Sequence, residues 1–187
     1  YFFGIGESAL EAQLRKEREQ MTTPTLAPYA KEGEVMLRGT ACAPSEAEAE
    51  ALMEPVIQML QQRFGDLIYG IDVDNLQTAA VRLLREKGLK AATAESCTGG
   101  YVAKRITEIP GSSDVFECGI VSYANSVKNK VLGVREETLK QFGAVSPQTA
   151  AEMAEGVRNL SGADIGISLT GIAGPGGGSQ EKPVGLV

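Results

Sequence analysis

Three short stretches hold the side chains able to do chemistry. The first is Ala94-Glu95-Ser96-Cys97-Thr98-Gly99-Gly100. Small apolar residues suited to a strand run into a sharp turn, and a helix follows. Ser96 then stands at the strand end, over the start of that helix. Free backbone N–H groups at a helix start can hold an anion or a developing oxyanion. Gly99 and Gly100 let a ligand come close to the backbone. On spacing alone, the plainer account is the stronger one: Ser96 or Thr98 caps the next helix, as serines in this position usually do.

A serine hydroxyl near neutrality needs a base. The chain contains no histidine, which removes Ser-His-Asp triads, Cys-His dyads, His-ligated zinc and every imidazole base. The alternative is a lysine whose amine is kept neutral by burial or by a nearby cation. The second stretch, Ser122-Tyr123-Ala124-Asn125-Ser126-Val127-Lys128-Asn129-Lys130, supplies candidates. Tyr123 ends an apolar strand and Lys128 falls one turn into the next helix, so both can face one loop opening. Tyr123 could relay a proton or orient the amine. Without further information, solvated lysines and a rim tyrosine describe the stretch better. Cys97 is a rival nucleophile, with no histidine to activate it.

The third stretch is Thr170-Gly171-Ile172-Ala173-Gly174-Pro175-Gly176-Gly177. Its glycine density suits a phosphate cradled by backbone amides and equally suits a long flexible loop. It matches neither the Walker pattern nor G-x-G-x-x-G. The acidic residues form no recognisable metal motif.

These stretches need a scaffold. The chain has 187 residues, 43% of them hydrophobic and 22% charged, with a net charge of −6. Such a chain can bury a core as one large domain or two small ones. Its acidity argues against sequence-independent nucleic-acid binding. Cys42, Cys97 and Cys118 are odd in number and widely spaced, which speaks against a disulfide framework and for a reducing, cytoplasmic setting. No apolar run is long enough to cross a bilayer. The abrupt start at Tyr1 and the apolar end at Val187 read as an internal piece of a longer protein.

The apolar periodicity predicts a strand at 1–5, a helix at 7–19, a loop over 22–32 marked by Pro24 and Pro28, and a strand at 34–41 with Val35 and Leu37 on one side. Ser45 and Glu48 form a capping box. The helix behind it carries Leu52, Val56, Met59 or Leu60, and Phe64 inward, with Pro55 inside it. A strand is expected at 66–69 and a domain boundary over 70–75. Beyond it come a helix at 76–87 with Leu76, Ala80, Leu83 and Leu84 on its apolar face, a strand at 89–94, a helix at 98–107 and a strand at 115–123. Helices at 125–132 and 135–142 follow. Ser146-Pro147 opens another helix, with Met153, Val157 and Leu160 inward. A strand at 163–169, the Gly-rich loop and a strand from Val184 complete the series. Alternating strands and helices imply an α/β sheet with helices on both faces, and ligands in such folds sit where loops leave the strand ends.

In order and spacing, the three stretches, with Val145-Ser146-Pro147, resemble the CinA (competence/damage-inducible) family over essentially the whole chain. The resemblance implies a small KH-like α+β domain at 1–72, followed at 73–187 by a three-layer α/β/α deamidase domain that is C-terminally incomplete. It implies an amidohydrolase that converts nicotinamide mononucleotide and water to nicotinate mononucleotide and ammonia. Carried over, Ser96 is the nucleophile, Lys128 its base and Tyr123 the supporting hydroxyl. Thr98, Gly99, Gly100, Thr170, Gly171, Gly174 and Gly176 fall where the family holds substrate. The oxyanion would meet the helix-start amides near Cys97 to Gly99. No cofactor is implied for this domain, and a homodimer is expected. The family's N-terminal domain, linked to ADP-ribose pyrophosphatase activity, is absent, as is the tail expected to hold the substrate phosphate, so the stretch alone is not expected to carry full activity. Gly4-Ile5-Gly6-Glu7 is no G-x-x-G clamp, so RNA binding is not inferred. Two other readings stand beside the enzyme: a non-catalytic competence or DNA-damage module that binds a recombination protein, and a scaffold for the missing pyrophosphatase domain.

Overall fold

The computed structural model describes residues 1–31 and 33–187. The chain divides into two compact units, residues 1–79 and 80–187.

The first unit sets two helices on a three-stranded antiparallel sheet of order β1-β3-β2. β1 (Phe2–Phe3) is short, and Gly4, at φ +82°, turns the chain away directly after it. α1 (Glu7–Gln20) buries Leu10 and Leu14, four residues apart on one face. β3 (Glu34–Thr40) pairs with β2 (Thr25–Lys31) from Glu34↔Lys31 to Thr40↔Thr25. β2 replaces most of the loop expected over 22–32, of which Glu32 lies outside the described residues. Pro28 misleads here: β2 is an edge strand, and an edge tolerates a residue without an N–H.

α2 (Glu46–Phe64) starts at Ser45, whose hydroxyl accepts the Glu48 N–H. A cap of this kind contributes about 1 kcal/mol. Glu48 does not complete the box by reaching back to the Ser45 amide; its carboxylate accepts from the Ser45 hydroxyl at 3.1 Å. Val56 and Phe64 are buried, while Leu52 is exposed. Phe2, Leu10, Leu14, Val35 and Phe64 form the core, with Phe2 edge-on to Phe64. The strand expected at 66–69 is a single 3-10 turn at Gly65–Leu67 followed by one bridge, Ile68 to Phe2.

The division between units falls within α3 (Leu76–Lys87). Its apolar face differs from the expected one: Val81 is buried, whereas Leu76 and Leu83 are exposed.

The second unit is a parallel three-stranded sheet of order β5-β4-β6 between helices. β4 (Ala91–Glu95) pairs with β5 (Phe116–Val121) on one side and β6 (Ile165–Leu169) on the other. All five β4 residues, Ala-Ala-Thr-Ala-Glu, are buried. Small side chains let helices close on both faces, as buried parallel strands require. α7 (Pro147–Ser161), capped by Ser146, packs Met153 and Val157 onto Ala92 and Ala94. Leu132, at the end of α5 (Asn125–Leu132), and Val134, just before α6 (Glu136–Phe142), join that layer. Leu160, expected inward, is exposed one turn past Val157. On the opposite face lies α4 (Tyr101–Thr107), pressed so close to β5 that a Cβ on Gly119 would come within 2.5 Å of Ala103 Cβ. Residues 184–187 form no regular strand, although Leu186 accepts from the Ile172 N–H and Gly185 donates to the Ile172 carbonyl. No helix among the described residues is long and apolar enough to cross a membrane.

Candidate active site

β4, β5 and β6 run parallel, so their C-terminal ends open on one side of the sheet, and Ser96 follows directly on β4. Its N–H donates to the Leu169 carbonyl at 2.8 Å, which continues the β4–β6 ladder by one step and fixes the serine backbone. From the end of β5, Ser122, Tyr123 and Ala124 lead into α5, where Lys128 is the fourth residue. Its side chain turns back under the strand ends and is 1% exposed.

The Lys128 amine lies 2.9 Å from Ser96 Oγ. It also donates to the Ser122 carbonyl at 2.7 Å and the Tyr123 carbonyl at 3.1 Å. Burial lowers its pKa below the ordinary lysine value, against a weaker opposing pull from Cys97. Two carbonyl oxygens can only accept, and a neutral amine has two N–H groups. Once both are given to Ser122 and Tyr123, the remaining lone pair meets the Ser96 hydroxyl.

The residue before the serine has a less obvious role. Glu95 is fully buried. One carboxylate oxygen accepts from the Gly100 and Val102 N–H groups at 3.1 and 3.0 Å, and the other from Ala103 N–H at 2.8 Å and the Thr93 hydroxyl at 3.4 Å. Burial alone would raise this carboxyl's pKa. The nearby Thr98 hydroxyl and the hydrogen bonds from Ala103, Val102 and Thr93 outweigh it and hold the group below its ordinary range. The buried Thr98 hydroxyl adds to that pull without a hydrogen bond of normal geometry.

The helix-start amides therefore differ from expectation. Gly99 N–H donates to the Ser96 carbonyl at 3.2 Å and Tyr101 N–H to the Thr98 carbonyl at 3.1 Å. Gly100 belongs to Glu95, and its φ of +95° is the backbone angle that brings its N–H onto the carboxylate. Among the described residues, the amides of this turn without a partner are those of Cys97 and Thr98.

The remaining sequence candidates separate. Tyr123 is 73% exposed, and it meets the lysine through its carbonyl, not its hydroxyl. The reason lies in the turn between β5 and α5: there Tyr123 points its carbonyl at the amine and leaves its ring in solvent. Thr170 is buried, but its hydroxyl donates to the Ala144 carbonyl at 2.8 Å, tying the end of β6 to the turn before α7. Gly171 and Gly174 make room for the returning chain. A Cβ on Gly171 would lie 2.4 Å from the Leu186 carbonyl oxygen, and one on Gly174 2.5 Å from Val184 Cγ1. Gly99 and Gly176 face open space. Ser122 was not singled out by its residue type, yet its carbonyl holds the lysine and its N–H donates to the Glu95 carbonyl at 2.8 Å.

Among the described residues, no group of three His, Cys, Asp or Glu side chains could hold a metal ion. The three cysteines are unpaired with one another. A cleft of about 870 Å³ lies within the first unit, lined by residues of α2, β3 and the segment 71–74, and holds none of the candidate site residues. Its size does not make it the reactive centre, because its lining offers no nucleophile beside a base.

Comparison with known proteins agrees along the whole chain. The family model of the CinA C-terminal domain matches residues 73–187, and that of the damage-inducible protein CinA KH domain matches residues 1–70. A CinA-like protein of Kosmotoga olearia is 50% identical over 185 residues, which is 99% of this chain and 45% of that protein. A putative competence-damage inducible protein of Moorella thermoacetica is 53% identical over 184 residues, 98% of this chain and 44% of its own length. The chain thus spans less than half the length of these curated relatives. Among solved structures, the competence/damage inducible protein CihA from Agrobacterium tumefaciens superposes with a TM-score of 0.58 at 50% identity, over 63% of this chain and 72% of that one. A competence-damaged protein (CinA) superfamily protein from Escherichia coli does so with a TM-score of 0.57 at 34% identity, over the same shares.

Proposed function

The chain belongs to the CinA family, and from that premise we propose that its second unit is the catalytic part of an amidohydrolase acting on nicotinamide mononucleotide. The observation that supports this reading best is the buried amine of Lys128, 2.9 Å from Ser96 Oγ. A desolvated lysine without an acidic partner is costly to keep. An adaptor or scaffold has no use for one aimed at a serine, whereas an acyl-transfer enzyme does.

In the proposed reaction, each residue takes a role that its position supports. Ser96 Oγ attacks the carboxamide carbon while its proton passes to the Lys128 lone pair. The Ser122 and Tyr123 carbonyls accept from the ammonium so formed. The negative charge on the former carbonyl oxygen falls to the unpartnered amides of Cys97 and Thr98, near the attacking atom. Lys128 returns the proton to the leaving nitrogen, the C–N bond breaks, and ammonia departs from a nicotinoyl ester on Ser96. Water, deprotonated by the same amine, hydrolyses the ester to carboxylate and restores the hydroxyl. Net, one amide and one water give one acid and one ammonia.

The test is ammonia release from nicotinamide mononucleotide by the full-length protein, run beside an ADP-ribose hydrolysis assay. Turnover of ADP-ribose alone would favour the scaffold reading, with the activity in another domain.

A pH dependence follows from the lysine. The reactive form is the neutral amine, and burial lowers its pKa below 10.5. kcat/KM is expected to be full above the lowered pKa and to fall about tenfold per pH unit beneath it. An acid limb centred at the ordinary lysine value would remove Lys128 as the base. Stability shares the sign: between the folded and unfolded pKa values the unfolded chain binds more protons, so this residue makes stability rise with pH over that window.

A further inference from the structure

We propose that Glu95 is the positioning residue of the Ser96–Lys128 pair, its buried carboxylate holding the turn that presents the serine hydroxyl to the amine. The inference rests on the reading of Ser96 as nucleophile and extends it to a residue that touches no reacting atom.

Glu95 is joined to both halves of the pair. On one side, its main-chain carbonyl accepts the Ser122 N–H at 2.8 Å, and the Ser122 carbonyl in turn accepts from the Lys128 amine at 2.7 Å. On the other, its carboxylate accepts the N–H groups of Gly100, Val102 and Ala103. Ser96 is the next residue along the chain, at the start of the turn that these contacts close from Glu95 to Ala103. The close approach of α4 to β5 at Gly119 and Ala103 brings the amides within reach of a glutamate on β4.

The arrangement also explains why a charged residue ends the most buried strand. An uncompensated carboxylate there would be costly, and a helix cap needs only a serine or threonine at the turn. A glutamate reaching from the strand does more: it locks the turn to the sheet, so the serine cannot swing with α4. It also occupies amides that could otherwise draw a substrate anion away from Ser96.

The test uses the full-length protein carrying Glu95→Gln, which keeps the side-chain length but replaces one oxygen with an N–H₂ that faces amide donors. Its readouts are kcat and KM for nicotinamide mononucleotide, the rate at which Ser96 reacts with a fluorophosphonate, and the thermal melting point. The expected result is a folded protein with KM within about twofold of the parent and kcat reduced on the order of 10²-fold, the loss that misplacing a reacting atom by about 1 Å can cause. Phosphonylation should slow by a similar factor. Glu95→Asp, which keeps the charge but shortens the reach, should show the same kcat-only loss and serves if the Gln variant does not fold.

Unchanged kcat, or a loss carried equally by KM, would overturn the inference. So would a loss of fold in both variants, since Glu95 would then be a structural cap and nothing more. A parent protein that reacts with the fluorophosphonate while Glu95→Gln reacts equally fast removes the inference alone. A parent protein inert to both probe and substrate removes the dyad reading and the inference with it.

Discussion

Lys128→Ala is expected to lower kcat for ammonia release from nicotinamide mononucleotide by about 10³-fold or more, within the range a positioned general base contributes. Ser96→Ala should do at least as much, because it removes the atom that forms the ester. The double variant should be little worse than either single one, since the two groups act as a unit. Lys128→Arg should be as inactive as Lys128→Ala: a guanidinium stays protonated in proteins and offers no lone pair. The chain holds no imidazole to take over. Steady-state kinetics on the full-length variants, with melting points to confirm folding, check this. Wild-type turnover in either single variant would remove the mechanism.

Gly156→Ala is expected to destabilise the second unit by about 2–3 kcal/mol, at the upper end of ordinary overpacking. A Cβ on this α7 residue would lie 1.9 Å from the Leu132 carbonyl oxygen and 2.8 Å from its carbon. The clash is with backbone, so no rotamer change relieves it, and the gain in helix propensity of about 1 kcal/mol falls short of offsetting it. α5 must shift instead. Lys128 sits one turn before Leu132 on that helix, so kcat should fall together with stability. Gly176→Ala, with open space around it and no positive φ, is the matched control for packing and should leave the unfolding midpoint unchanged. Urea unfolding midpoints separate the two, and equal midpoints would show that α7 and α5 can part without cost.

Where the sequence pattern spoke through residue type, it was legible. A serine after a small-residue strand and a lysine one turn into a following helix are visible as candidates, and their Oγ and amine lie 2.9 Å apart. What stayed hidden depends on the backbone. Glu95 belongs to no recognisable motif because most of its partners are peptide N–H groups, which nearly every residue type supplies. Ser122 and Tyr123 meet the Lys128 amine through their carbonyls, atoms that residue type does not single out. The Gly171 and Gly174 positions suggested a phosphate cradle, whereas their missing Cβ atoms admit residues 184–187. The misplaced loop at 22–32 has a similar origin, because a proline signals a break only if the strand needs its N–H, and an edge strand does not. Val81, Leu83 and Leu160 show the limit of helical periodicity: the period finds a face but not which end of it is covered.

The all-buried strand β4 has a consequence for durability. It is hydrogen-bonded on both flanks, and the proposed nucleophile, Ser96, is the very next residue, itself tied to Leu169. Segments so placed open only with the whole unit, not by fraying. Heating should therefore erase the proposed catalysis and the second unit's secondary structure in a single step, and brief excursions below that temperature should leave activity intact on cooling.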